Sequence, residues 1–238
     1  MKLSNKILII GLAVVLGGML FVAAGTRIMI GKAVKQGNIG FEKADLGERV
    51  SKTYNYTDFN ELAASGVWDI RITQGTKYAV VLKMEEGLTD QVLVAKNGPI
   101  VSLSMKDDFY VVGNKPISVE LVMPELTGIS LQGGANVIIT GFSSERFVLD
   151  SEGASNIVGK DNEIENLFLS CDGAAHVNLK SSQTVNADVN LAGASNVVLT
   201  MNGGILKGKI DGIGSLEYYG KVAEEKVLKH GISSIQKH

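Results

Sequence analysis

Cysteine, proline and net charge are all scarce in this 238-residue sequence. A single cysteine, Cys171, excludes an intrachain disulfide framework and any cysteine-rich metal site. Lys and Arg total 23 against 25 Asp and Glu, a formal net charge of -2. No basic excess exists to neutralise a phosphate backbone, so nucleic acid is not an expected partner. Three prolines stand beside 28 glycines and 45% hydrophobic residues, a balance that suits a regular, tightly turned structure rather than disorder. The length allows one domain of ordinary size with a short appendage, or two small domains, and rules out two large ones.

One long apolar run is present. After Lys2 and Lys6, residues Ile7 to Ala24 carry no charge, and as a helix they would span roughly 27 Å against about 30 Å of bilayer hydrocarbon. Residues 1–25 are therefore expected to form a hydrophobic signal anchor helix. A cleaved signal peptide remains open, because Val22-Ala23-Ala24 offers small residues for a peptidase. Lipoprotein processing is excluded, since no cysteine follows the run. Arg27, Lys32 and Lys35 nearly balance the positive charge before the run. The remainder is nonetheless expected outside the cytoplasm, in the envelope or at the surface, with residues 26–52 as a linker or stalk.

Self-comparison gives the strongest signal. Gly133, Gly153, Gly173 and Gly193 recur at twenty-residue intervals, and Gly212 and Gly231 follow at nineteen. Four residues after each glycine stand Val137, Ile157, Val177, Val197, Leu216 and Ile235, and apolar residues alternate with polar ones on either side. Period-two alternation around a small-residue corner means short strands. Repeats of this size cannot fold alone but bury a continuous apolar column when stacked. The pattern predicts an all-β, right-handed parallel β-helix, a β-solenoid of 19–20 residues per coil. A leucine-rich repeat of similar length would need a helical segment, which the sequence lacks.

Three residues after each glycine come Asn136, Asn156, His176, Asn196, Ser215 and Ser234. Stacked about 4.8 Å apart, these side chains would form a polar ladder along the corner, and Asn156→Leu would lower the unfolding midpoint. Residues 53–128 alternate without a clean repeat, although Ala64-Ser65-Gly66 followed by Asp69-Ile70 has the later corner spacing. The whole of 53–238 is thus expected as one β domain, with 53–128 as irregular capping coils and 129–238 as regular repeats.

These residues carry a family resemblance. The stretch Phe59 to Gly75, FNELAASGVWDIRITQG, then Met123-Pro124-Glu125-Leu126, the Gly-Ala-Ser-Asn corners and the closing GIGSLEYYGK and HGISSI resemble the putative auto-transporter adhesin, head GIN domain, a DUF2807-type domain. The resemblance implies an exported β-helical domain at the cell surface or in the envelope, with adhesion as its working role and no catalytic residues to carry over. His176 departs from the pattern by standing where sister coils have Asn.

The function expected is a non-catalytic surface binding module without cofactor or metal. Its partners would be a glycan, a cell-wall polymer or a surface protein, with self-association and a structural envelope role as the alternative. The case for a polysaccharide lyase or hydrolase, or for a Ca²⁺ site, rests on Glu152, Asp172 and Asp211 next to the repeat glycines. Ala192 interrupts that column, and the same three carboxylates could equally border a ligand face. Cys171 sits in an apolar column as a buried thiol, and the three histidines, His176, His230 and His238, lack metal-ligand spacing. Trp68 and the pair Tyr218-Tyr219 read as core or cap packing, with a carbohydrate-binding face as the other option.

Overall fold

Alternating apolar residues build strands almost everywhere in the computed structural model, which describes residues 46–106 and 116–238. Within these the protein is all-β. The strands are β1 (Arg49–Tyr54), β2 (Glu61–Gln74), β3 (Ala79–Glu85), β4 (Val92–Asn97), β5 (Ile100–Met105), β6 (Ile117–Met123), β7 (Gly128–Thr140), β8 (Ser143–Asn202), β9 (Ile205–Lys221) and β10 (Glu224–Lys237). A single 3-10 turn, Glu86–Leu88, interrupts them. Among the described residues there is no α-helix, so the helical half of a leucine-rich repeat is absent there. The expected anchor, residues 1–25 with its apolar run 7–24, and most of the linker 26–52 lie outside the described residues. Among those described, no helix is long and apolar enough to cross a membrane.

The strand order is open, running β1-β3-β6-β2-β7-β8-β9-β10, with β4 and β5 paired beside β2. From β2 to β10 the pairings along this path are parallel and keep the glycines in register: Gly66 with Gly133, Gly133 with Gly153, Gly193 with Gly212, and Gly212 with Gly231. The 60-residue β8 cannot be straight, since at about 3.3 Å per residue it would reach roughly 200 Å. It folds back on itself instead. A Cβ added at Gly153, Gly173 or Gly193 would run into the backbone of the glycine one repeat earlier, and each of these glycines has a positive φ. Direct contact and left-handed backbone together explain why the column is glycine.

Side chains between the corners alternate in and out, and the inward ones form columns. Phe147, Leu167, Ala187 and Leu206 are buried, as are Leu149, Leu169 and Val189, then Ile157, Val177, Val197 and Leu216, then Leu179, Leu199 and Tyr218. Full burial of each large apolar side chain contributes about 1.5–3 kcal/mol. The columns change character in β10, where Glu225, Lys229 and Lys237 stand in register with Leu206, Ile210 and Tyr218. The first part of the domain is organised differently, because β1–β3, β3–β6 and β4–β5 pair antiparallel. Its core holds Phe59, Trp68, Met84, Leu88 and Met123.

Candidate functional site

The repeat creates one regular outer face. One residue beyond each corner glycine, Val67, Gly134 and Ala154 follow one another in register, as do Ala194, Ile213 and Ile232. Val67, Ile213 and Ile232 are 68%, 64% and 77% exposed. Their outward direction follows from the two-residue alternation, because the next position along, Ser155, Ala175 or Ser195, is buried. Val67, Gly134, Asn136, Ala154 and Asn156 line a shallow depression of about 370 Å³ at the amino-terminal end of this face. Apolar side chains thus run the length of the stack, small in its middle and larger towards its ends.

The three acidic residues picked out by sequence border this stripe, and they do not converge equally. Glu152 is in register with Gln132, whose Nε2 donates to its Oε2 at 3.5 Å. Glu152 and Asp172 adjoin the stacked Gly153 and Gly173 and therefore occupy neighbouring rungs. Asp211 is in register with Ala192, one rung beyond that of Asp172, and is held by Lys209 and by His230 Nδ1 at 3.5 Å. Among the described residues no group of three or more His, Cys, Asp or Glu could hold a metal ion.

Of the six residues three places after the glycines, Asn136, Asn156, His176 and Asn196 are exposed and Ser215 and Ser234 half-buried. Asn156 Nδ2 donates to Asn136 Oδ1 at 3.5 Å. Sequence reasoning missed the shorter polar stack at another corner. There the buried Asn162 accepts from the Phe142 N–H with its Oδ1 at 3.0 Å, and its Nδ2 donates to the Ile139 carbonyl at 3.1 Å and to Ser182 Oγ at 2.9 Å. A second stack links Asn186 Nδ2 to Asn166 Oδ1 at 3.2 Å, and the Ile205 N–H to Asn186 Oδ1 at 3.0 Å. The usable signal was Phe142, Asn162 and Ser182 at twenty-residue spacing, hidden by their differing chemistry.

Comparison with known proteins joins this geometry to a family. The family model of the putative auto-transporter adhesin, head GIN domain (DUF2807) matches residues 58–198. The chain belongs to this family. Among solved structures, this head GIN domain is similar in fold to a putative adhesin from Bacteroides fragilis, 18% identical, with a TM-score of 0.64 over 80% of this chain and 97% of that one. A putative adhesin from Parabacteroides merdae is 17% identical, with a TM-score of 0.50 over 81% of this chain and 97% of that one. A putative lipid binding protein from Parabacteroides distasonis has the same identity, TM-score and coverage. No curated protein matches the sequence.

The remaining candidates sit in the interior of the head GIN domain or at its carboxy-terminal end. Trp68 is buried and its Nε1–H donates to the Ser65 carbonyl at 3.0 Å. Tyr218 is buried beneath β10, and its hydroxyl donates to Glu225 Oε2 at 2.5 Å. Tyr219 stacks on the His238 ring with centroids 4.4 Å apart and carries Lys180 Nζ 3.9 Å from its ring centroid. The Cys171 thiol is buried and pushed up to about 12 by that burial and, second, by the charge of Asp150, which leaves it a poor nucleophile at neutral pH.

Proposed function

We propose that this head GIN domain is an exported, non-catalytic binding module that adheres at the cell envelope or surface. In this reading the apolar run 7–24 holds it to the membrane, the stretch from 26 to the start of β1 is the stalk, and β1 to residue 238 is the binding domain, since residues 49–52 of the expected linker 26–52 pair with β3. The regular repeats 129–238 are read as coils of a right-handed parallel β-helix, with 53–128 covering one end. The observation that carries the proposal is the outer face, where Val67, Gly134, Ala154, Ala194, Ile213 and Ile232 succeed one another over a closely packed core.

A repeated surface suits a repeated ligand, such as a glycan, a cell-wall polymer or a surface protein. Many weak, equally spaced contacts add by avidity without a deep pocket. Glu152 and Asp172 would border the bound chain on one side and the Asn136–Asn196 column on the other. Membership of a family described as putative adhesins, and the two putative adhesins of similar fold, support this reading. The test incubates the purified protein with a panel of glycans, wall polymers and matrix proteins, following retention and product release together. Retention without turnover is expected. Released oligosaccharide would replace the binder with a polysaccharide-degrading enzyme, and absence of both would favour a structural envelope role.

A further inference from the structure

Parallel stacking leaves one strand edge uncovered at the end of the described sheet. β10 is the terminal strand in the strand order, and β9 is its strand partner, so among the described residues its outer edge has no strand beside it. Among the described residues, fourteen residues of edge backbone thus lack a strand partner on that side, a template on which another chain can pair. Beneath that edge the core is incompletely closed, since Val227 and Ile235 pack against it yet remain only partly buried.

The side chains of β10 say what would fit there. Parallel register places Glu225, Val227, Lys229, Ser233, Ile235 and Lys237 on its core-facing side, over Leu206, Gly208, Ile210, Gly214, Leu216 and Tyr218. The acid stands near one end of this row and a lysine at the other. Among the described residues, neither Lys229 nor Lys237 has an ion-pair partner. A row with opposite charges at its two ends, Val227 and Ile235 next inside them, and Lys229 and Ser233 innermost can pair with itself when reversed, acid to lysine, apolar to apolar and lysine to hydroxyl.

We propose that β10 is a homodimerisation edge, at which a second copy of this chain pairs antiparallel about a two-fold axis at Gly231. That register sets Glu225 against Lys237 of the second copy, Val227 against its Ile235 and Lys229 against its Ser233. The two-fold repeats each contact. All of these pairs lie on the core-facing side, as an antiparallel ladder requires of residues directly opposite. A slip of two residues in either direction opposes Glu225 to Ile235 or Lys237 to Val227, so the charges select the register. The corner at Gly231, with φ +86, falls on the axis, so each arm of the bent strand meets the other arm of its mate. An isologous contact of this kind closes at two copies and propagates no fibre. It would join two stacks end to end, with Val227 and Ile235 of each copy as the apolar contacts at the junction and the charged pairs outside them.

Inward charges at an exposed edge can instead serve to keep edges apart, and the experiment separates the two roles. Leu228 and Ser234 lie opposite one another across the proposed axis on the outer side of the ladder, where substitution leaves the core untouched. Full-length Leu228→Cys and Ser234→Cys proteins carrying different tags are mixed in detergent and oxidised mildly with copper phenanthroline in air. The expected result is a cross-link between unlike tags that exceeds cross-linking of either variant with itself by at least about tenfold. Adding Glu225→Lys, or Lys237→Glu, to both partners should abolish it, and adding both reversals together should restore it. Melting followed by circular dichroism verifies that each protein is folded. Absence of the mixed cross-link between folded proteins, equal cross-linking in the unmixed samples, or failure of the double reversal to restore the cross-link would each overturn the proposal.

Discussion

Asn162 Nδ2 donates to Ser182 Oγ at 2.9 Å, joining two rungs one repeat apart inside a corner that water does not reach. The same asparagine accepts from the Phe142 N–H and donates to the Ile139 carbonyl, so one side chain ties its own rung to the backbone of the preceding one. Asn162→Leu leaves an N–H, a carbonyl and a hydroxyl with fewer partners. The expected loss is about 2–4 kcal/mol of stability, read as a fall in the urea midpoint. Asn156→Leu, on the exposed column where the bond is 3.5 Å, should cost no more than about 0.5 kcal/mol. Equal effects at the two sites would contradict this ranking.

Gly153 and Gly98 both have positive φ, but Gly153 lies against the Gly133 backbone whereas a Cβ at Gly98 would meet nothing within 4 Å. Gly98→Ala should therefore cost only the left-handed backbone term, about 1–2 kcal/mol. Gly153→Ala must in addition force two rungs apart and should cost clearly more. Thermal melts of the two variants side by side give the comparison.

The Cys171 thiol, pushed from its usual 9.0 to about 12, keeps its proton in the folded state at pH values where the unfolded chain has lost it. Its contribution to stability is fully present below about pH 9 and falls as the pH rises towards 12. Native protein at pH 8 should accordingly resist a thiol reagent such as a disulfide dye, while protein in denaturant reacts promptly. Rapid modification without denaturant would show that the column around Cys171 opens readily.

Glu152, Asp172 and Asp211 are predicted to be dispensable for folding. Their simultaneous replacement by Ala removes three charges outside the core, and among the described residues the ion pair lost is the surface contact of Asp211 with Lys209, worth about 0–1 kcal/mol, together with the Asp211 contact to His230. Unfolding should shift little, and binding to a ligand identified by retention should weaken without vanishing. Complete loss of function in a folded protein would point to catalysis by these carboxylates.

Much of the repeat region was legible because two strong physical requirements are written residue by residue. Only glycine tolerates the positive φ and close contact at Gly153 and Gly173, and only apolar residues fill columns such as Ile157, Val177 and Val197. Strand direction in the first part was not legible, because Val80 and Leu82 alternate alike whether β3 runs parallel or antiparallel to β6. The Asn162 corner escaped notice for a related reason. A backbone N–H from Phe142 is one of its partners, and a backbone group leaves no trace in the side-chain pattern. On the outer face, spacing alone marked Glu152, Asp172 and Asp211 as equivalents, whereas Lys209 and His230 engage only the last.

The glycine register has a consequence for how this molecule can change in size. If each repeat is one coil, as proposed, a deletion that fuses Gly153 to Ala174 removes one whole turn and brings every later side chain back to its own column, shortening the stack by about 4.8 Å. A deletion of an odd number of residues inside a rung would turn Val189 and Leu191 towards solvent and drive Asp188 and Asn190 inward. On that reading length is quantised, and a library of in-frame repeat deletions and duplications should survive only at whole-turn steps.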